Sequence, residues 1–388
     1  MIERTPYLES PHTGVAVTMA STGYIDGELT REETLSSTAV SDDYRSWRKR
    51  VSTDNGRTWS EETEIPDVVR EDERGGIVSF PGAPTWDPIG RRLFRVSMTR
   101  IWPGNPAYTF NWENHHHPFH DHVFASVNGA EPVCLRFEVG PDYDPDNPFD
   151  PDFAQTNRAY HGQGIPILPD GSALHPMVCY PPEIASPHCL GGVVLMRLGP
   201  GETEWRASNQ VFVSPETSSR GLLEPDAARL KDGRILVVCR GNDTPQTAGR
   251  KWMTWSEDGG KTLAPAREFR YADGSRFYSP SSFHQFYRST RTGVLYWIGN
   301  ICPNPPNANA PRFPMMIGVI NEDTMGLERD SLEIIDDRQP GEPESISFSN
   351  FRLVENRETL DLELFMSRSA AWEEKDWNRT IYRYLFKP

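Results

Sequence analysis

Short apolar runs, each entered through a turn signal, recur along the whole chain. They are Gly14-Val-Ala-Val-Thr-Met, Arg91-Arg-Leu-Phe-Arg-Val, Asp170-Gly-Ser-Ala-Leu-His-Pro-Met, Asp232-Gly-Arg-Ile-Leu-Val-Val, Thr292-Gly-Val-Leu-Tyr-Trp-Ile and Glu358-Thr-Leu-Asp-Leu-Glu-Leu-Phe. Each reads as a turn leading into a buried strand. Their starts lie about 60 to 80 residues apart, which leaves room for four short strands and their loops in every repeat. No long segment carries apolar residues at helical spacing, so helices should be few. Repeats of this size filling the chain predict an all-β fold, a six-bladed β-propeller of four-stranded antiparallel sheets. A two-sheet sandwich with coincidental Asp-Gly turns is the other arrangement that fits the spacing. The Pro-rich stretches 141–153 and 302–314 read as loops inside blades and nothing resembles a linker, so residues 1–388 are expected to form one domain.

Composition sharpens this picture. The 388 residues include 34 Pro, 30 Gly and 11 Trp, as a chain of many turns and short aromatic-rich strands requires. The five cysteines (Cys134, Cys179, Cys189, Cys239, Cys302) are an odd number without paired close spacing. They read as mostly free, buried thiols rather than a disulfide framework. A formal net charge of -15 argues against general nucleic-acid binding, which needs basic charge against phosphates. An anionic substrate would need a local arginine cluster inside this negative molecule. No window approaches the apolar length of a membrane-spanning helix. The first residues, MIERTPYLESPHTG, lack a basic segment followed by an apolar one, so the expectation is either a cytoplasmic protein or one whose leader has been removed. No phosphate loop or dinucleotide fingerprint occurs, and no cofactor is expected.

The segment Ser52-Thr-Asp-Asn-Gly-Arg-Thr-Trp59 fits the pattern S-x-D-x-G-x-T-W, an Asp box. Its Ser and Asp side chains can take backbone N–H groups of a tight turn, while the Gly supplies positive φ and the Trp packs beneath. Ser256-Glu-Asp-Gly-Gly-Lys-Thr-Leu263 repeats all but the final Trp, and weaker echoes occur at Gly201–Trp205 and Asn321–Gly326. With these boxes in register with the repeats, the chain resembles the sialidase (neuraminidase) superfamily of six-bladed propellers, over nearly its whole length. The resemblance implies a glycoside hydrolase acting on a terminal acidic sugar, with an acidic oligosaccharide or polysaccharide as partner. The boxes lie on the outer rim in that family and identify the fold rather than the reaction.

The stretch Gly221-Leu-Leu-Glu-Pro-Asp through Cys239-Arg240 is similar to the sialidase segment whose Glu assists the nucleophile and whose Arg binds the substrate carboxylate. The resemblance therefore implies these roles for Glu224 and Arg240 on neighbouring strands of blade four, with a structural ion pair as the alternative. It extends to Arg312 as a second carboxylate-binding arginine, the alternative being a solvated loop cation. Arg4, in Arg4-Thr-Pro6, resembles the N-terminal arginine signature with one substitution. Asp43 or Asp42 would supply the acid/base carboxylate of the first blade. The family's nucleophile is a Tyr, and the matching position here is Phe348, which has no oxygen to attack with. Ordinary sialic-acid hydrolysis is not expected.

Other residues offer chemistry of their own. His161, in Tyr160-His-Gly-Gln-Gly164, precedes a buried strand, and Tyr278, in Arg276-Phe-Tyr-Ser279, opens the inner region of blade five. A His base and Tyr acid beside an Arg suit β-elimination from a uronate, as in propeller polysaccharide lyases, which the chain resembles at the level of fold. The alternatives are a hydrogen-bonded structural histidine and a packed tyrosine. Five of the ten histidines lie within residues 115–122. His117, His120 and His122 with Asp121 could meet a metal, or His117 and His120 could belong to a sugar-contacting loop with Trp102 and Trp112, or the segment is surface. Three functions follow: an acidic-glycan hydrolase, a lyase or unusual glycosidase using His161 and Tyr278, and a glycan-binding propeller without catalysis.

Overall fold

The repeated runs mark one strand position. In five blades they form the second strand of the sheet: Arg92–Pro103, Ala173–Cys179, Ile235–Arg240, Leu295–Asn300 and Leu362–Ser367. All residues of Ala173–Cys179 and Ile235–Arg240 are buried, as expected for strands paired on both edges and covered on both faces. The first run is different, leading into Ala16–Tyr24, whose partner Arg31–Thr38 is the second strand of its blade.

The structure is a computed structural model and describes residues 2–9, 16–38, 44–108, 119–180, 190–369 and 380–388. Six antiparallel sheets form a ring, a six-bladed β-propeller with almost no helix. Blade one is Ala16–Tyr24, Arg31–Thr38, Tyr44–Ser52 and Thr63–Glu64. Blade three is Ala159–His161, Ala173–Cys179, Gly192–Leu198 and Arg206–Ala207; blade four is Leu223–Arg229, Ile235–Arg240, Lys251–Ser256 and Arg267–Glu268. Two blades exceed the expected four strands. In blade two, Val69–Asp72 pairs outside Gly75–Pro81, and Thr85–Asp87 pairs with Arg92–Pro103. In blade five, Met315–Asn321 pairs with Glu333–Asp336 as well as with Gly326–Leu327.

Blade six closes the ring. Its strands Arg352–Glu355, Leu362–Ser367 and Ile381–Phe386 are completed by Glu3–Leu8, which pairs antiparallel with Ile381–Phe386. A buried ion pair fastens the seam between blades six and one. Arg31 donates to Glu363 at 2.7 Å and to the Tyr24 hydroxyl at 2.9 Å, and both charged groups are buried. Paired and hydrogen-bonded, the charges tolerate burial that would be costly for either alone.

The turns after the third strands repeat one hydrogen-bond pattern. The Asp54 carboxylate accepts from the Thr58 N–H and hydroxyl at 2.8 and 2.6 Å, and the Ser52 hydroxyl accepts from Gly56 N–H at 2.8 Å. Asp258, Thr262, Ser256 and Gly260 reproduce it at 2.9, 2.7 and 2.8 Å. Gly56 and Gly260 take φ of +84° and +89°, where a side chain is strained. In blade four Ile235 is opposite Ser256 and Arg240 opposite Lys251, so this turn and the Glu224–Arg240 end lie on opposite faces of the ring.

The stretch 141–153, expected as loop, ends in the helix Pro151–Gln155, with Asp150 as N-cap and Pro in its first turn. Cys134, Cys179, Cys239 and Cys302 are free thiols, the last three buried, while Cys189 lies outside the described residues. No helix among the described residues is long and apolar enough to cross a membrane.

Candidate functional site

Glu224 stands where the inner strand of blade four departs from regular pairing. The register shifts between Leu223 and Asp226, and Glu224 takes φ of +41°. A non-glycine residue held there costs on the order of 1–3 kcal/mol and persists only when its surroundings impose it. Here the imposed conformation brings the carboxylate to Arg240, at the end of the neighbouring strand, which donates to it at 2.8 Å. The Glu224 side chain keeps 20% of its exposure and that of Arg240 keeps 10%. Burial alone would raise the Glu224 pKa, but the Arg240 charge and hydrogen bond, with Arg312 beyond, hold it below its ordinary value.

Arg240 also donates from Nε to Ser281 Oγ at 2.6 Å and from Nη2 to Asn309 Oδ1 at 3.0 Å. Arg312 donates to the carbonyls of the same two residues, Asn309 and Ser281, both at 3.1 Å. Two guanidiniums from different blades are thus tied to one pair of residues, beside a single carboxylate. The Ser281 hydroxyl donates a hydrogen bond to Asn242 Oδ1.

His161 is the last residue of the inner strand of blade three. Its Nδ1 bonds the Gly162 carbonyl at 2.9 Å, which fixes the proton on Nδ1 and leaves Nε2 as the acceptor. The chain there runs beside Glu224, because Gln163 N–H donates to the Pro225 carbonyl at 2.8 Å. The close approach requires glycine: a Cβ on Gly162 would lie 2.3 and 2.4 Å from the carbonyl oxygens of Pro176 and Pro225. Burial lowers the His161 pKa and Arg352 lowers it further, against the pull of Glu224 and Asp121, so the ring is neutral at pH 7. Arg352 reaches across from blade six, donating to Ser21 of blade one at 3.0 Å and to Gln163 of blade three at 3.4 Å.

The remaining expected residues are placed differently. Tyr278 is half-buried and its carbonyl pairs with Cys302 N–H, without a contact that joins it to His161. Arg4 lies on the outermost strand of blade six and donates to Asp336 at 3.1 Å, in a cluster with Arg368 and Tyr384. The structure does not bring it to Glu224 and Arg240. His120, expected in a loop, begins the strand His120–Val127 opposite Ile101 and is buried, and burial with the nearby Arg158 charge lowers its pKa to about 4. Asp121 is taken by Arg100 in a two-point contact at 2.7 and 2.8 Å. Among the described residues no group of three or more His, Cys, Asp or Glu comes together to hold a metal ion. Asp42, Asp43 and His117 lie outside the described residues. Phe348 is fully buried, with the Arg368 guanidinium 4.9 Å from its ring.

Sequence reasoning missed Ser281, Asn309, Lys251, Gln163 and Arg352. It also missed Asp226, two residues beyond Glu224, whose carboxylate ties blade four to blade five by accepting Phe286 N–H at 2.6 Å and Ala227 N–H at 2.9 Å. Burial raises its pKa to about 7, against those two bonds. A carboxyl raised in the folded state stabilises the protein most below its unfolded pKa near 3.8, and that contribution is lost as pH climbs through about 7. Between these limits the loss is roughly 4 kcal/mol. Chemical unfolding of the wild type and Asp226→Asn across this range should show the wild-type advantage shrinking with pH; an advantage that stays level would refute the assignment.

No protein-family model matches the sequence, and no curated protein matches it either. Solved structures share its fold. A protein of unknown function from Dyadobacter fermentans superposes with a TM-score of 0.62 at 12% identity, over 100% of this chain and 99% of its own. A mutant of the NanB sialidase from Streptococcus pneumoniae gives 0.63 at 11% identity, over 98% of this chain and 70% of its own. The α-L-arabinanase of Penicillium chrysogenum, complexed with arabinobiose, gives 0.52 at 12% identity, over 97% and 99%. Propellers that share this fold therefore include glycoside hydrolases, and at these identities the likeness is one of fold.

Proposed function

We propose that this chain is a propeller glycoside hydrolase acting on a terminal, carboxylate-bearing sugar of a glycan, by a route other than that of ordinary sialidases. The observation that carries the reading is the pair Arg240 and Arg312, tied to the same Ser281 and Asn309 beside Glu224. A local excess of positive charge in a chain of net charge -15 favours an anionic ligand at this place. Arginine forks suit a carboxylate in two-point contact. In this reading the guanidiniums take the sugar carboxylate, and the ionised Glu224 stabilises positive charge developing at the anomeric carbon. Neutral His161, with Nε2 as acceptor, takes the proton of an attacking water. Asp43 is kept as the proton donor to the leaving group. Phe348, buried and without an oxygen, supports the departure from the tyrosine route. Strands from Glu3 to Phe386 build the ring, which supports reading residues 1–388 as one propeller domain of the sialidase-like, Asp-box type.

The same histidine tautomer favours one second reading. His161 could instead remove the C5 proton next to a uronate carboxylate neutralised by the arginines, the C4–O bond breaking as the C4–C5 double bond forms and Tyr278 giving a proton to the departing sugar oxygen. One assay separates the outcomes. Aryl sialosides and uronides should be cleaved at least about ten-fold faster than neutral counterparts, a difference near 1.4 kcal/mol in transition-state binding. A 4-linked uronate oligosaccharide, which carries the leaving group at C4 that an aryl uronide lacks, would under elimination instead give an unsaturated uronide absorbing in the near ultraviolet. Saturable binding of acidic sugars without product would make this a binding propeller, and neither binding nor product would end the proposal.

A further inference from the structure

Lys251 opens the third strand of blade four, directly opposite Arg240. Its side chain is wholly buried. Its Nζ is not directed at a carboxylate; it donates to the carbonyls of Pro280, at 3.3 Å, and Ser282. Those carbonyls flank Ser281, whose own carbonyl accepts from Arg312 and whose hydroxyl accepts from Arg240. Ser281 N–H is in turn held by the Ala308 carbonyl at 2.8 Å, one residue before Asn309. The three successive carbonyls of Pro280–Ser282 therefore all accept from basic side chains. Burial and repulsion from Arg240 and Arg312 hold the Lys251 pKa well below its ordinary value, against the attraction of Glu224. A buried amine in such company is retained at a cost.

We propose that Lys251 is a positioning residue: by gripping the carbonyls of Pro280 and Ser282 it sets the Ser281 turn, and through that turn the spacing of Arg240 and Arg312 around one anionic group. The proposal rests on the anion-binding reading of the site. Lys251 touches neither substrate nor reacting atoms. Its removal lets the turn relax, and the two guanidiniums then no longer meet a carboxylate together. Small misplacements of a binding group of this kind are costly, roughly 10- to 100-fold.

The test measures binding of sialic acid and glucuronate against glucose by calorimetry, on the full chain and on Lys251→Met. The wild type should prefer the acidic sugars. In Lys251→Met their dissociation constants should rise roughly 10- to 100-fold while that for glucose changes less than about two-fold. A purely structural role would weaken all three sugars together, by reducing the folded fraction, and that result overturns the proposal. So does a variant that folds and keeps the wild-type preference. A wild type without any acidic preference defeats the anion-binding reading itself, a distinguishable failure. If Lys251→Met does not fold, Ser281→Ala serves: it leaves the carbonyls in place and removes the hydroxyl between Arg240 and Asn242. The same selective loss is expected of it, and an unchanged preference refutes the role of the turn.

Discussion

Replacing His161 with alanine is expected to lower turnover of acidic glycosides by roughly 10²- to 10⁴-fold, the range typical of a lost general base. The Michaelis constant should move little, because the arginines that hold the ligand are untouched. The wild-type rate should fall on acidification below pH 6.5, where the imidazole, its pKa lowered by burial and by Arg352, takes up a proton and loses its acceptor. That acidic limb should vanish from the residual activity of His161→Ala. An undiminished rate, or a limb that survives the substitution, would show His161 to be a structural residue bonded to Gly162.

Removing Arg240 should damage binding and folding together. Arg240→Ala deletes one fork of the two-arginine site and should weaken acidic ligands by roughly 10²-fold or more, in line with a lost charge-assisted two-point contact. It also leaves Glu224 mostly buried and without its main partner. Complete removal of a partner from a buried pair costs roughly 3–5 kcal/mol, and the 20% exposure of Glu224 places the expected loss at the lower end. Adding Glu224→Gln should recover part of the stability and none of the ligand affinity. Thermal melts and calorimetry of the single and double variants test both halves. Retained preference for acidic sugars in Arg240→Ala would remove this arginine from the site.

What could be read along the chain and what could not divides by the range of the contacts involved. The Ser52–Trp59 and Ser256–Leu263 turns were visible because each is held by bonds between residues two to four apart, so the residue types must recur together. Glu224 and Arg240 were visible through a family resemblance on two adjacent antiparallel strands. The helix Pro151–Gln155 had a local signal, Asp150-Pro151, that the Pro-rich composition of its surroundings obscured. His120 was misplaced because the histidine-rich segment 115–122, interrupted by Pro118, reads as loop, whereas pairing with Ile101 places its residues from His120 onward in a strand. Ser281 and Asn309 left no such signal: they lie 41 and 69 residues from Arg240 and are ordinary loop residues by type.

By itself, then, the order of residues determined the repeat, the central strand of five of the blades, and the turn chemistry between strands, since short-range sterics and the burial of apolar runs act wherever such segments occur. Packing between the blades determined the rest. Glu3–Leu8 completes blade six, which stands beside blade one so that Arg352 meets Ser21 and reaches Gln163, while the packing of blade five on blade four lets Arg240 and Arg312 share Ser281. Such contacts join distant positions, and each depends on the packing angle between sheets. Local preference carries no information about that angle.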